Sequence, residues 1–179
     1  DETYVEFAEN LQDITAIPLS QYYNNIIVLR GVSKFFAAPG LRLGYAVCGN
    51  RDLVKEVVGH QDPWAINTLA AIAGEIMFTD KEYIDQTRRL ISSERARICK
   101  KLDSFHGVTY YAPKANFILL KILKEDVTAM DIFEAAIQEK LMIRDCSDFP
   151  FLNNKYFRFC IMMPDKNDEL LNVIERLLG

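Results

Sequence analysis

Lys34 and its surroundings are the first feature of this sequence that suggests chemistry. Lys34 follows an aliphatic run and lies in the segment V-S-K-F-F-A-A-P-G, with apolar residues on its carboxyl-terminal side. A lysine among apolar neighbours is partly desolvated, which lowers its pKa and makes its amine a usable nucleophile for a Schiff base. A lone lysine at such a place is more often a solvated loop residue, so the interpretation depends on what accompanies it.

Arg42 is the second candidate, and it lies in the otherwise apolar segment L-R-L-G-Y. The segment predicts a strand, and a guanidinium buried in a strand needs an anion. Its planar fork of donors suits a phosphate bidentately. Gly40 and Gly44 lie nearby and would let the backbone approach a ligand closely. A structural salt bridge is the alternative.

Asp1 and Tyr4 form a third element, D-E-x-Y. A carboxylate beside a pyridine nitrogen keeps that nitrogen protonated, which turns the ring into an electron sink. A tyrosine hydroxyl three residues further on could donate a hydrogen bond to a phenolic oxygen of the same ring. By itself this tetrapeptide is common at chain starts and turns.

The order of these elements is far more specific than any one of them. D-E-x-Y-x-x-F, then S-K, then P-G-L-R-L-G-Y resembles the cofactor-binding signature of class I/II aminotransferases, which are fold-type I enzymes dependent on pyridoxal 5'-phosphate (PLP). The similarity extends over essentially the whole chain. It implies that Asp1 binds the pyridine nitrogen, that Tyr4 binds the phenolic oxygen and that Lys34 forms the Schiff base with PLP. It also implies that Ser33 and Arg42 hold the phosphate.

Arg158 is the single charge in the apolar segment Y-F-R-F-C-I-M, which predicts a strand. Alternation places Arg158 on one face of that strand, opposite Phe157 and Phe159. An exposed arginine on an edge strand is the alternative. The family resemblance implies that Arg158 grips the anionic group of the substrate and that Arg144 assists it with phosphorylated substrates. Asn116, in A-N-F-I-L-L, matches a family motif near the site.

The elements that must position these residues alternate between strands and helices, which indicates an α/β protein. The pattern predicts strands at residues 25–29, 41–48, 108–111, 116–122, 141–144 and 156–163, and helices at 51–60, 65–78, 81–105, 129–139 and 166–178. The resemblance implies the carboxyl-terminal part of the fold-type I large domain, a mostly parallel sheet with helices, over residues 1–85. A long linking helix and the small carboxyl-terminal α/β domain follow over residues 86–179.

Composition excludes several classes of function. The net charge of -4 and the pI near 5.3 argue against nucleic-acid binding. No apolar run is long enough to cross a bilayer, and no secretory signal opens the sequence, so we expect no membrane partner and a cytoplasmic protein. The four cysteines form no C-x-x-C pair, and we expect no metal site.

Two branches of the family compete as models for the reaction, and both act on small phosphorylated amines or amino acids. One is histidinol-phosphate aminotransferase, which also uses 2-oxoglutarate, a 2-oxo acid. The other is threonine-phosphate decarboxylase, from cobalamin biosynthesis, to which residues 63–75 and 143–158 are more similar.

A different class of function is an aminotransferase-like sensor domain of a transcriptional regulator. The family is usually homodimeric, so a homodimer is expected by analogy. We expect this chain to be the carboxyl-terminal half of its protein and, alone, neither to bind the cofactor tightly nor to turn over.

Overall fold

The computed structural model describes all residues from Asp1 to Gly179, and they form two compact units. Unit 1 is Asp1–Arg88 and unit 2 is Arg89–Gly179. The division falls inside the long helix α3, Lys81–Leu102. The other elements of unit 1 are four short 3-10 turns (Val5–Phe7, Leu11–Asp13, Pro18–Gln21 and Pro39–Leu41), strands β1 (Ile27–Gly31) and β2 (Gly44–Cys48), and helices α1 (Arg51–Gly59) and α2 (Thr68–Thr79).

The two strands of unit 1 pair with each other in antiparallel orientation, from Ile27 opposite Cys48 to Gly31 opposite Gly44. The sequence pattern predicted that the second strand starts at residue 41. In the structure, strand β2 starts at Gly44. The reason is local: Arg42 ends the preceding 3-10 turn in the left-handed conformation, with φ of 53°. A residue in that conformation cannot continue an extended strand.

Asparagine side chains fix where the helices of unit 1 begin. Asn50 Oδ1 accepts hydrogen bonds from the backbone N–H groups of Asp52 and Leu53, and Asn67 Oδ1 accepts one from Ala70. These bonds satisfy donors that the first turn of a helix leaves unpaired. Helix α2 therefore starts at Thr68, after its Asn67 cap, and not at residue 65 as predicted.

Unit 2 is a four-stranded antiparallel sheet with helices. Its strands are β3 (Val108–Tyr110), β4 (Phe117–Ile122), β5 (Arg144–Asp145) and β6 (Tyr156–Cys160), in the spatial order β3-β4-β6-β5. Helices α4 (Ala129–Gln138) and α5 (Pro164–Leu178) complete the unit. Fully buried side chains from strands and helices form its core, among them Ile98, Ile118, Leu120, Ile132, Phe157, Leu170 and Ile174. The predicted elements of this unit are confirmed to within a few residues, apart from β5, which lies slightly later.

Unit 1 leaves a broad apolar surface uncovered. Helices α1 and α2 and the loop between them expose large apolar side chains, and the exposed fraction of Trp64 reaches 88%. The others include Val57, Val58, Ile66, Leu69, Ile72 and Ile76. Proteins normally bury patches of this kind against other protein segments or partners. None of the helices is both long and apolar enough to span a lipid bilayer.

A buried polar network ties α3 to α5 inside unit 2. Asn167 is completely buried, and its Nδ2 donates hydrogen bonds to Glu94 Oε2 at 2.7 Å and to the Met162 carbonyl at 2.8 Å. Its Oδ1 accepts one from Met162 N at 2.8 Å. Arg97 donates two more to Glu94, at 2.9 and 2.8 Å. Each polar group of Asn167 thus has a partner, as burial requires.

Replacing Asn167 by alanine should lower the free energy of unfolding by about 2–4 kcal/mol, because it leaves the buried Glu94 carboxylate with one donor fewer and Met162 N–H unpaired. Urea unfolding followed by circular dichroism measures this. Asn172→Ala, an exposed asparagine on the same helix, is the control and should change stability by less than about 0.5 kcal/mol. Equal effects of the two substitutions would contradict the role assigned to Asn167.

Acidification should diminish the contribution of the same network. The hydrogen bonds that Arg97 donates lower the pKa of Glu94 below its ordinary value of 4.5. Burial opposes this effect, and the hydrogen bond from Asn167 adds to it. When the pKa of a carboxyl is lower in the folded than in the unfolded state, its ionised form stabilises the fold. That stabilisation is complete above the unfolded-state pKa and is lost as the pH falls through the folded-state pKa. Below about pH 4.5, part of the difference between wild type and Asn167→Ala should therefore disappear.

Candidate active site

The turn that follows β1 presents Lys34 to solvent. Val32 and Phe35 face the core, with exposed fractions of 0% and 2%, and the turn directs Lys34 outward. The prediction of a partly desolvated Lys34 is therefore wrong for this chain, since the apolar residues beside it in sequence point away from it. The Lys34 Nζ atom lies 5.8 Å from the centroid of the Tyr4 ring. The structure thus brings together two of the residues proposed to hold the cofactor.

The segment that carries Asp1 and Tyr4 is fastened to the end of β1. Glu2 N–H donates a hydrogen bond to the Leu29 carbonyl at 2.8 Å. Asp1 Oδ1 accepts one from Thr3 N at 2.9 Å and another from the Thr3 hydroxyl, while Asp1 Oδ2 has no protein partner. One carboxylate oxygen of Asp1 is therefore free to accept a further hydrogen bond.

Arg30, near the end of β1, holds the segment around Asp1 and Tyr4 through ion pairs with Glu2 and Glu6. Its Nε and Nη2 donate to Glu2 Oε2 at 3.1 and 3.0 Å, and its Nη1 donates to Glu6 at 3.0 Å. Burial opposes ionisation of Glu2, but hydrogen bonds from Ala16 N, Thr15 and Arg30 outweigh it and lower the pKa of Glu2. This cluster was not predicted, although Arg30, a lone arginine at the end of an aliphatic run, was a visible signal.

Ser33 and Arg42 carry donors that the rest of the chain does not use. The Ser33 hydroxyl forms no hydrogen bond. Arg42 is exposed, and its guanidinium donates only from Nη1, to the Pro39 carbonyl at 3.0 Å. The prediction that Arg42 is buried in a strand is wrong, because its left-handed backbone places it at the end of a turn. No hydrogen bond joins Arg42 to Lys34: the Arg42 side chain donates to the Pro39 carbonyl.

The groups of unit 1 are chemically suited to a phosphorylated aldehyde with a pyridine ring. Lys34 offers an amine without a carboxylate partner, Asp1 offers a free carboxylate oxygen, and Ser33 and Arg42 offer unused donors. An amine can bond covalently to an aldehyde, and hydroxyl and guanidinium donors suit a phosphate.

In unit 2, Arg158 lies on an interior strand. Its strand β6 has β4 on one side and β5 on the other, so the alternative of an edge-strand arginine is wrong. Phe157 and Phe159 on the opposite face are buried, with exposed fractions of 0% and 2%, which confirms the predicted alternation. Arg158 is half-buried and has no carboxylate within 4.0 Å.

Arg144 lies directly opposite Arg158 in the β5–β6 pairing. Like charges in directly opposed positions on neighbouring strands are destabilising unless something compensates them. Arg144 has one carboxylate partner, Asp148 Oδ2 at 2.5 Å, and that pair is more than half exposed on both sides. Exposed pairs of this kind contribute little. Two arginines thus face each other across neighbouring strands with one weak counter-ion, an arrangement suited to a bound anion.

Asn116 immediately precedes β4, and its backbone carbonyl accepts a hydrogen bond from Ile161 N at 2.8 Å. Its side-chain Oδ1 is buried and has no hydrogen-bond partner. A buried acceptor without a donor is costly, so this atom marks a place where a further donor would be stabilising.

Two aromatic residues that were not predicted as site residues contact Arg158. The Phe117 and Phe149 ring centroids lie 5.0 and 5.6 Å from its Cζ atom. Phe149 is in an irregular loop, where no periodicity marks it. Cys146, in the same loop, is buried, and burial raises the pKa of its thiol, as expected for a packed and unreactive cysteine. No group of three or more His, Cys, Asp or Glu side chains is arranged to hold a metal ion.

Comparison with known proteins identifies the family. The family model for aminotransferase class I and II matches residues 1–174, nearly the whole chain. The chain is 32% identical over 178 residues to threonine-phosphate decarboxylase of Salmonella typhimurium, covering 99% of this chain and 48% of that protein. It is 33% identical over 178 residues to histidinol-phosphate aminotransferase 1 of Carboxydothermus hydrogenoformans, covering the same shares.

A solved structure extends the likeness to the fold. Histidinol-phosphate aminotransferase from Clostridium acetobutylicum superimposes with a TM-score of 0.91 at 28% identity, over 99% of this chain and 52% of that one. The chain therefore spans about half the length of the relatives that it matches. The two kinds of relative match it at similar identity, so identity does not separate their reactions.

Proposed function

This chain belongs to the class I and II aminotransferases, a PLP-dependent enzyme family, and we propose that it is the carboxyl-terminal half of such an enzyme acting on a small phosphorylated amine or amino acid. Unit 1 would be the end of the PLP-binding large domain and unit 2 the small domain. The observation that carries the substrate class is the opposed pair Arg144 and Arg158, in which only Arg144 has a carboxylate partner, on the surface. Two cations with one exposed counter-ion favour an anion with more than one charge.

The residues of unit 1 would hold PLP in the way that the family resemblance implies. Lys34 Nζ would condense with the aldehyde group with loss of water, and Ser33 and Arg42 would donate hydrogen bonds to the phosphate. Asp1 would keep the pyridine nitrogen protonated, and Tyr4 would donate to the phenolic oxygen. Bound PLP supplies an electron sink for the bond broken at the substrate's Cα.

Two reactions are compatible with this arrangement. In transamination, Lys34 Nζ, once displaced by the substrate amine, would take the proton from Cα as general base and deliver it to the C4′ carbon of PLP as general acid. In decarboxylation, the carboxylate would leave instead. In both, Arg158, assisted by Arg144, would fix the substrate by its anionic group, and Asn116 Oδ1 would accept a hydrogen bond near it. The greater similarity of residues 63–75 and 143–158 to the decarboxylase favours that branch.

Product analysis of the full-length enzyme tests the proposal. Incubation with threonine phosphate should release carbon dioxide if the decarboxylase branch is correct. Incubation with histidinol phosphate and 2-oxoglutarate should form glutamate if the transaminase branch is correct. Turnover of neither substrate, together with PLP binding, would favour a sensor domain of a transcriptional regulator and refute the enzyme proposal. We also propose a cytoplasmic homodimer, on analogy with the family alone.

A further inference from the structure

Phe149 contacts both arginines of the opposed pair in unit 2. Its ring centroid lies 5.5 Å from Cζ of Arg144 and 5.6 Å from Cζ of Arg158. The Phe117 ring lies 5.0 Å from Cζ of Arg158. Arg158 is therefore in contact with two rings, and one of those rings is shared with Arg144. We refer to Arg144, Phe149, Arg158 and Phe117 as the arginine–phenylalanine cluster.

The aromatic contacts explain how two positive charges are held opposite each other. A guanidinium over an aromatic face is attracted by the ring quadrupole, which compensates part of the repulsion between the two arginines. A guanidinium that stacks on a ring by its flat face keeps its N–H edge free to donate. Arg158 forms no hydrogen bond or ion pair with any other side chain, so its donors remain available.

The charge of the cluster selects the kind of anion. A carboxylate carries one charge and is satisfied by the fork of a single arginine. A phosphate monoester carries about -1.5 to -2 charges at pH 7 and offers three acceptor oxygens. Of these two anions, only the phosphate can neutralise Arg144 and Arg158 together, and it can do so only while both guanidiniums are within reach of it.

We propose that Phe149 is a positioning residue that holds the guanidiniums of Arg144 and Arg158 together, so that the pair prefers a phosphate dianion over a carboxylate. This inference rests on the proposed function, because it assumes that the pair binds the substrate's anionic group. Phe149 acts on the substrate only through the two arginines. It is 38% exposed and lies in a loop, so its replacement should not disrupt the core of unit 2.

Steady-state kinetics of full-length Phe149→Leu test the proposal. We expect the KM for the phosphorylated substrate and the inhibition constant of inorganic phosphate each to rise about tenfold, since two cation–π contacts are lost. We expect kcat to stay within about twofold, because the groups at the reacting atoms are unchanged. Phe149→Tyr keeps an aromatic ring and should restore both constants. Phe151→Leu, the same substitution at a fully exposed position of the same loop, should change neither.

Inhibition by acetate provides the specificity control. Its inhibition constant should change by less than about twofold in Phe149→Leu, because a monoanion needs one guanidinium only. The proposal is overturned if the constants for phosphate and acetate rise by the same factor, if neither rises, or if Phe149→Tyr fails to restore phosphate binding.

A second measurement separates failure of this inference from failure of the proposed function. In the apoprotein, titration with inorganic phosphate should shift the arginine Nε–H resonances of Arg144 and Arg158 in nuclear magnetic resonance spectra, and Phe149→Leu should weaken that binding about tenfold. This readout requires neither PLP nor turnover. An enzyme without activity that still shows the shifts would refute the proposed function alone, whereas an active enzyme without them would refute the role of Phe149.

Discussion

Replacing Lys34 by alanine should reduce turnover of the full-length enzyme by at least about 1,000-fold, because the covalent attachment of PLP and the general base at Cα are lost together. The affinity for PLP should also fall. Turnover is measured with whichever substrate the product analysis identifies. Attachment is measured by borohydride reduction of the PLP-loaded protein followed by peptide mass spectrometry, which should place the pyridoxyl group on Lys34 in the wild type and on no residue in the variant.

Lys55→Ala provides the matched control. Lys55 is an exposed lysine on α1, paired only with Asp52 on the surface at 3.6 Å, and its removal should change neither activity nor labelling. A pyridoxyl group found on another lysine of the wild-type protein would show that Lys34 has been assigned the wrong role. So would normal turnover by Lys34→Ala.

Replacing Arg158 by glutamine should lower kcat/KM for the phosphorylated substrate about 100-fold or more, a loss of about 3 kcal/mol, because a charged, bidentate donor is lost from a half-buried site. Arg158→Lys should recover only part of this, since an ammonium is a point charge without the planar fork. Steady-state kinetics on the full-length enzyme measure both. Arg176→Gln, which removes an exposed arginine paired with Glu139 on the surface of the same unit, should have no effect. Retention of wild-type kcat/KM by Arg158→Gln would exclude Arg158 from substrate binding.

Much of unit 2 could be predicted from the sequence because its elements are amphipathic. The alternation of buried and exposed residues in β4 and β6 is regular, and burial on one face fixes the register of a strand. The position of Arg158 opposite Phe157 and Phe159 followed directly from that alternation. The pairing with Arg144 did not, because it depends on which strands are neighbours, a long-range property that no local pattern contains.

Unit 1 was harder to predict, for two physical reasons. The first 26 residues fold into short 3-10 turns, whose hydrogen bonds carry no hydrophobic period. The conformation of the candidate site residues also depends on single backbone angles: the turn after β1 exposes Lys34 while it buries Phe35, and one left-handed residue ends the predicted second strand early. The motif order still identified the family correctly, since it depends on residue identity and not on local conformation.

The positive φ of Arg42 lowers the stability of the turn, whereas its guanidinium can bind an anion. A residue with a Cβ atom in the left-handed region costs about 1 kcal/mol or more relative to glycine, which adopts that region freely. Glycine would therefore relax the backbone of this turn, but it has no guanidinium to offer an anion. Selection for a more stable fold and selection for a retained cationic side chain would act in opposite directions here.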